Sequence, residues 1–369
     1  MKKTVIVGYG NMGSRYAFHI YNGKIKDMSL YGIVCRNPEK QREIKNNMPE
    51  VKVFSREEIM LSERDNFDAL IITTPHKEHI KTVKRAQRAG LHILCEKPLG
   101  ITAQECSAVL AGNAEAKTVE AVLFNWRTKE IYRQLHAYLE GRNLGRLHQV
   151  VWVANFWYRP EFYHHASRWR SSWSGEGGGL LINQCQHLLD MWNWLFGQPC
   201  EVFASLGYGE YNHISVDDKI SLFLRHENGM WGNLISSSGD SPGACHLEIH
   251  GEWGKIVVED NRCLRIYKNT ASTESISKIS REINPVIPFV EENREVNQKE
   301  DEYVAALQNF ADAMELRSAP LAAFSDGQRA LEIANSAYLS SWKSTAIPVP
   351  CDEEEYCREL KKRAEAEER

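Results

Sequence analysis

Three glycines near the start of the 369-residue chain constrain its fold more than any other feature. They stand in Gly8-Tyr9-Gly10-Asn11-Met12-Gly13, between a short apolar run, Thr4-Val5-Ile6-Val7, and a stretch patterned as a helix to about Tyr21. A strand that turns tightly into a helix gathers free backbone N–H groups and the positive end of the helix dipole at one point. Glycine at the first position permits the turn. At the second it lets a pyrophosphate approach the backbone, and at the third it lets helix and strand pack closely. In this context the spacing predicts dinucleotide binding by Gly8, Tyr9, Gly10, Asn11, Met12 and Gly13.

The pattern downstream agrees. Apolar runs at Leu30–Cys35, Val51–Phe54, Ala69–Thr73, His92–Cys95 and Val119–Phe124 alternate with polar, helix-patterned stretches. Such alternation predicts an α/β domain, a Rossmann-type doubly wound parallel sheet, over residues 1–122. Right-handed crossovers bring the strand C-terminal ends to one edge, where ligands bind. Residues at those ends are therefore cofactor candidates: Cys35 and Arg36, then Thr73, Thr74, Pro75, His76 and His79, then Glu96 and Lys97. The second strand ends without the carboxylate that would hold the ribose hydroxyls of NAD, and Arg36 follows Cys35. A guanidinium there pairs with a 2′-phosphate, so NADP is the expected cofactor, with NAD possible.

Beyond residue 122 the pattern changes. A helix at Glu130–Glu140 precedes strand-like stretches at Gln149–Trp157, Glu201–Gly207, Lys219–Arg225, Met230–Ser236, His246–His250 and Lys255–Glu259. Asn228-Gly229 between two of them is a hairpin signal. An α+β domain over 123–350 follows from this, with 269–300 a polar surface connection and helices at Asp301–Leu316 and Asp326–Trp342. Residues 351–369 read as a charged helix or tail.

Composition excludes several classes of function. Lys and Arg number 45 against 49 Asp and Glu, a net charge of −4, so no basic face speaks for nucleic acid or an anionic membrane. No apolar run is long enough to span a bilayer, and MKKTVIVGYG reads as a first strand, not a secretory leader. The nine cysteines are scattered without a C-x-x-C pair, which fits a reducing cytoplasm and no disulfide framework. His76/His79 and His164/His165 lack the spacing of a metal site, and no metal is expected.

Two further motifs carry chemistry. Cys95-Glu96-Lys97-Pro98-Leu99-Gly100 ends the fifth strand; a lysine there, beside a nicotinamide, can polarise a hydroxyl or carbonyl. Gly177-Gly178-Gly179 leads into an apolar helical pattern that places Asn183, His187 and Asp190 on one face at i, i+4 and i+7. Imidazole suits proton exchange near neutrality.

Taken together, Gly-x-Gly-x-x-Gly, Thr74-Pro75, Glu96-Lys97-Pro98-Leu99, the glycine triplet and His187-x-x-Asp190 resemble the glucose–fructose oxidoreductase/inositol dehydrogenase (Gfo/Idh/MocA) family over essentially all of residues 1–345. The resemblance implies a C-terminal domain with a large open, mainly antiparallel sheet, used to form a homodimer or homotetramer. It implies a catalytic Lys97 supported by Glu96, a cis Lys97-Pro98 bond, and His187 as the proton-transferring histidine. Asn183 stands where many relatives carry an aspartate; an amide can bond a sugar hydroxyl but cannot act as a base.

An aromatic and arginine-rich stretch, Trp157 to Trp173, has the flat apolar faces and planar donors that sugar binding needs. Candidate substrate residues are Lys97, Asn125, Arg127, Tyr158, Arg159, Tyr163, Trp169, Arg170, Asn183 and His187, while Trp152 and Trp173 are expected to pack beneath the loop. Arg127, Arg159, Arg168 and Arg170 would suit an anionic substrate. The expected activity is an NADP(H)-dependent oxidoreductase acting on a secondary alcohol or ketone of a sugar, sugar derivative or inositol. Two alternatives stay open: a glycoside-processing enzyme that oxidises transiently and recycles a tightly held nucleotide, and a non-enzymatic nucleotide sensor.

Overall fold

The computed structural model describes residues 1–112, 117–167 and 169–367. In chain order the first elements are β1 (Lys2–Val7), α1 (Asn11–Tyr21), β2 (Met28–Val34), α2 (Pro38–Asn47), β3 (Lys52–Phe54), α3 (Glu57–Leu61), β4 (Ala69–Ile72), α4 (His76–Arg88), β5 (His92–Cys95), α5 (Ala103–Ala111) and β6 (Glu120–Val122). There follow α6 (Glu130–Glu140), β7 (Leu147–Ala154), α7 (Glu161–His165), α8 (Leu180–Asn183), α9 (Gln186–Phe196), β8 (Glu201–Tyr208), β9 (Asp217–Arg225) and β10 (Trp231–Ser237). The chain closes with β11 (Cys245–Gly251), β12 (Gly254–Glu259), β13 (Cys263–Asn269), α10 (Thr273–Ile279), β14 (Phe289–Glu295), α11 (Glu302–Met314), α12 (Phe324–Lys343), β15 (Ile347–Pro348) and α13 (Glu353–Glu367).

Strands β1 to β6 form one parallel sheet in the order β3-β2-β1-β4-β5-β6. This is the doubly wound order, in which the crevice between β1 and β4 receives a dinucleotide. Central strands buried on both faces read as continuous apolar runs, and Ala69–Ile72 is buried at every residue.

The chain folds as two compact units, the first made of Met1–Thr128, Gly175–Gly177 and Glu300–Leu331. The span 123–350 drawn from the sequence therefore does not lie within one unit. Ala306, Leu307, Phe310, Ala311 and Met314 of α11 belong to the same hydrophobic core as Tyr16, Ile20, Ile25 and Met28. An apolar helix face declares that it will be covered, not by which surface. The attachment is reinforced at its start, where Asp301 caps α11 and pairs with Arg15 at 2.8 Å.

The second unit comprises Lys129–Ser174, Gly178–Lys299 and Glu332–Arg369. Its sheet has nine strands in the order β14-β13-β12-β11-β7-β10-β9-β8-β15, antiparallel throughout except for β7 with β10. Strand β9 alternates strictly from Asp218 to Arg225, burying Ile220, Leu222 and Leu224 and exposing Phe223 and Arg225, as one covered face requires.

Two expectations need correction here, and the charged C-terminal helix is present. Residues 269–300 are not merely a connection, because they hold α10 and the edge strand β14. Every residue of β14 except Arg294 is exposed, so no alternation marks it, and only backbone pairing with β13 makes it a strand. The helical run after Gly179 breaks at Gln184 and Cys185 into α8 and α9, so Asn183 and His187 do not share one continuous helix. Residues 353–367 form a regular helix, α13, with Tyr356 and Leu360 buried.

Candidate functional site

In the first unit, β1 ends at Gly8, whose φ of +105° favours glycine. A Cβ at Gly13 would lie 2.3 Å from the Gly8 carbonyl oxygen, whereas a Cβ at Gly10 would meet nothing within 4 Å. The turn is thus closed against α1 at Gly13 and open at Gly10. Gly10 is also the N-cap of α1 and places no side chain on the helix's first N–H groups. An open cradle of backbone donors at a helix start fits a pyrophosphate. Of the other residues expected here, Tyr9 buries its ring in the core and offers only backbone, Met12 packs partly against that core, and Asn11 is exposed. Thr73 spends its hydroxyl on the Gly8 carbonyl at 3.0 Å and so holds the turn.

At the end of β2, Cys35 is buried, with its thiol directed to the Asn37 carbonyl at 3.8 Å. Arg36 is exposed and makes no ion pair or hydrogen bond among the described residues. Asn37 caps α2, accepting from Glu39 N and Lys40 N. The same turn brings Lys40 Nζ to 2.9 Å from the Tyr9 carbonyl, so a second cation stands at the glycine turn. Sequence reasoning missed Lys40, which resembles any solvated lysine of a charged helix; its place in the first turn after β2 was the available signal.

The ends of β4 and β5 carry the chemistry expected of the nicotinamide end. Thr74 Oγ1 is buried without a hydrogen-bond partner, an orphaned polar group that suits a bound amide or ribose. Pro75 is the N-cap of α4, and His76, nearly buried, has Nδ1 3.3 Å from the Glu176 carbonyl. His79 does not reach a nucleotide. It is wholly buried, and its two ring nitrogens lie 2.7 Å from the Pro98 and Thr74 carbonyl oxygens. Burial lowers its pKa, with the two carbonyl bonds opposing and the Lys97 charge assisting.

Glu96 is also buried. Its Oε1 accepts from the Tyr16 hydroxyl and its Oε2 from Lys97 N at 3.0 Å, and burial raises its pKa. Lys97 is half-buried, and the Lys97-Pro98 bond is cis. Asn125 is buried with Oδ1 unpartnered. Arg127 is not available to a substrate: its buried guanidinium pairs with Asp326 at 3.3 Å and donates to the Leu321 carbonyl at 3.0 Å. It secures the returning Glu300–Leu331 segment.

In the second unit, Gly179 and the start of α8 are held by residues the sequence did not single out. Asp217 accepts from Gly179 N at 2.8 Å, Leu181 N at 2.7 Å and the Tyr338 hydroxyl at 2.6 Å. Burial pushes the Asp217 pKa up while these donors pull it down, and each of the three favours the carboxylate. The signal was the Asp217-Asp218 pair opening β9, two carboxylates on a strand with no basic neighbour but Lys219.

Around α8 the donors converge on one phenol. Tyr163 Oη accepts from Arg170 Nη1 at 2.5 Å, Gln184 Nε2 at 2.9 Å and Asn183 Nδ2 at 3.4 Å. The guanidiniums of Arg159 and Arg170 lie 4.7 and 4.4 Å from its ring centre. Trp169 lies under Arg170 at 4.9 Å, and Tyr158 is 53% exposed. Arg168 lies outside the described residues. His187 is half-buried at the second residue of α9, and Asp190 is fully buried. Trp152 and Trp173 are both buried, with Trp173 Nε1 donating to the Ser215 carbonyl. Gln184 joins the cluster unforeseen. No group of histidine, cysteine and carboxylate side chains able to hold a metal exists among the described residues.

Comparison with known proteins matches residues 2–124 to the oxidoreductase family NAD-binding Rossmann fold and residues 132–257 to the GFO/IDH/MocA C-terminal domain. Levoglucosan dehydrogenase of Pseudarthrobacter phenanthrenivorans is 27% identical over 52% of this chain and 55% of its own, so the match spans about half the length of that relative. The scyllo-inositol 2-dehydrogenase (NADP(+)) IolW of Bacillus subtilis is 26% identical over 68% of this chain and 66% of its own. Among solved structures, the WlbA dehydrogenase of Bordetella pertussis, in complex with NADH and UDP-GlcNAcA, superposes with a TM-score of 0.78 at 23% identity. That superposition covers 95% of this chain and 99% of the other, and it shows the fold.

Proposed function

The chain belongs to the Gfo/Idh/MocA family of oxidoreductases, and from that premise we propose that it is an NADP(H)-dependent enzyme interconverting a secondary alcohol and a ketone on a sugar, sugar derivative or inositol. The observation that carries the reading is Lys97, half-buried at the C-terminal end of β5, on the sheet edge that also presents the open cradle at Gly10 and the orphaned hydroxyl of Thr74. When bound, the nicotinamide gives or accepts the hydride. The backbone at Gly8, Gly10 and Gly13 holds the pyrophosphate, and Thr74 meets the nicotinamide end. Lys97 stabilises negative charge developing on the reacting oxygen, and His187 exchanges the proton.

Arg36 and Lys40 favour NADP over NAD, because two cations at the end of β2 suit a 2′-phosphate and no carboxylate stands there to repel it. Relatives named for NADP(+) and structures holding NADH both exist, so the residues of this chain decide the preference. Tyr163, Asn183, Gln184, Arg159 and Arg170 form a donor-rich cluster suited to the acceptor oxygens of a polyol. The outer face of the nine-stranded sheet exposes Phe203, Phe223 and Trp231 at 46, 39 and 40%, and we assign it to packing against a second copy in a homodimer or homotetramer. Nine cysteines without a disulfide suit a reducing compartment, the cytoplasm.

The test is nicotinamide absorbance with NADP or NAD against cyclitols, free sugars and glycosides. Reduction with one polyol class is expected, and Lys97→Met is expected to lower kcat at least ~100-fold. Turnover of Lys97→Met within about threefold of the parent chain would remove the assignment.

A further inference from the structure

We propose that Tyr16 and His79 are positioning residues for Lys97, each gripping the residue on one side of it. The inference rests on the reading that Lys97 acts on the substrate, and goes beyond it by naming what aims that lysine. On the N-terminal side, Tyr16 of α1 donates its hydroxyl to Glu96 Oε1, while Glu96 Oε2 accepts the Lys97 backbone N–H at 3.0 Å. On the C-terminal side, His79 Nδ1 lies 2.7 Å from the Pro98 carbonyl. The opposite nitrogen of the same ring lies 2.7 Å from the Thr74 carbonyl, so one imidazole spans the loops that end β4 and β5.

Neither residue is placed to touch a ligand, since both are 0% exposed. Each is nonetheless an expensive way to fill space. A phenol hydroxyl and an imidazole taken out of water cost more than apolar side chains of the same volume, unless their hydrogen bonds accomplish something else. Here those bonds converge on the three consecutive residues 96–98, so the backbone that carries the Lys97 side chain is held on both sides. Such a shell is what a reactive group needs to stay within a fraction of an ångström of its working position.

Imidazole suits the His79 position because it has a polar atom at each end of a rigid ring. Its neutral form has a single N–H, so both carbonyls are satisfied together only when the ring is doubly protonated. The charged or titratable groups facing it are Lys97, whose charge opposes protonation, and His76, with its ring centre 5.9 Å away.

The experiment compares Tyr16→Phe, His79→Gln, His79→Phe and Lys97→Met in the full-length chain. It measures kcat, KM, nucleotide affinity by cofactor fluorescence, and thermal unfolding. Misplacing a catalytic group by about 1 Å costs on the order of 100-fold. Tyr16→Phe and His79→Gln are expected to lower kcat by ~10- to 100-fold, with nucleotide affinity held within about twofold. His79→Gln, which keeps one donor, is expected to be milder than His79→Phe. A folded Tyr16→Phe chain with kcat within about twofold of the parent, while Lys97→Met is inactive, overturns the proposal. So does a loss of kcat matched by an equal loss of nucleotide affinity, which marks a merely structural role. Tyr16→Phe removes one oxygen and keeps the ring packed, so it decides the matter if the His79 variants do not fold. If Lys97→Met itself turns over normally, the assignment of Lys97 fails, and the positioning roles of Tyr16 and His79 fall with it.

Discussion

The molecule contains two glycine-rich turns that run into helices, and they are built for opposite purposes. At Gly8–Gly13 the middle glycine faces open space, and α1 begins with no side chain on its first N–H groups. At Gly177–Gly179 the space is taken: a Cβ on Gly179 would lie 2.0 Å from the Asp217 carbonyl oxygen, and the Asp217 carboxylate receives the N–H groups that open α8. One turn keeps its donors for an outside anion, and the other satisfies them with an anion of the protein's own. Glycine content alone does not separate these cases. What separates them is whether a carboxylate arrives from elsewhere in the fold.

The largest effect expected from this contrast is on folding. Gly179→Ala forces a methyl group into backbone and is expected to destabilise the second unit by about 3 kcal/mol or more. Thermal unfolding checks it, and a shift smaller than that of an ordinary surface substitution would show that the turn relaxes. Acid gives the next largest effect, again in the second unit. His226 accepts from Trp192 Nε1 at 3.1 Å, and burial lowers its pKa from 6.5 to about 4. The folded state then binds fewer protons than the unfolded one. The stability His226 supports is complete above pH 6.5 and is lost as pH falls through 4, amounting to about 2–3 kcal/mol. Of the ten tryptophans only Trp126 lies in the first unit, so tryptophan fluorescence against denaturant at several pH values reads this loss directly. A His226→Gln chain should flatten the profile.

Two smaller effects probe the open turn. Gly10→Ala is expected to leave thermal unfolding nearly unchanged, since its Cβ would meet nothing, yet to weaken nucleotide binding at least tenfold, about 1.4 kcal/mol. Loss of stability with binding intact would reverse the contrast between the turns. Arg36→Ala is expected to weaken NADP binding about fivefold, near 1 kcal/mol, and to leave NAD binding alone. An equal loss for both nucleotides would place Arg36 against the adenine instead of the phosphate.

Legibility in the sequence followed locality. The β1–Gly8-x-Gly10-x-x-Gly13–α1 unit, the parallel series and Glu96-Lys97-Pro98 are each written within a few adjacent residues, and the structure builds the expected sheet from them. What could not be read depends on partners distant in the chain. The core that α11 joins includes residues some three hundred positions earlier in the chain, and Arg127 pairs with Asp326 across about two hundred. His79 looks like a ligand-facing histidine until both of its nitrogens are seen on carbonyls. Strand β14 exposes nearly every residue and so has no hydrophobic pattern to read. The break between α8 and α9 falls among residues of ordinary helical character, Gln184 and Cys185, and the local sequence does not announce it.

The return of α11 to the first unit has a consequence for synthesis. The nucleotide-binding half begins at Lys2, yet its core includes residues as late as Met314. A ribosome must therefore deliver most of the chain before the half that emerges first can seal its own interior. Until then the core to which Tyr16 of α1 belongs lacks Leu307 and Phe310. The second unit's sheet, whose strands run from Leu147 to Glu295 apart from the short β15, is threaded in the meantime. Residues 1–128 made alone would lack that seal, so a fragment cut at the first boundary is a poor proxy for the first unit of the chain.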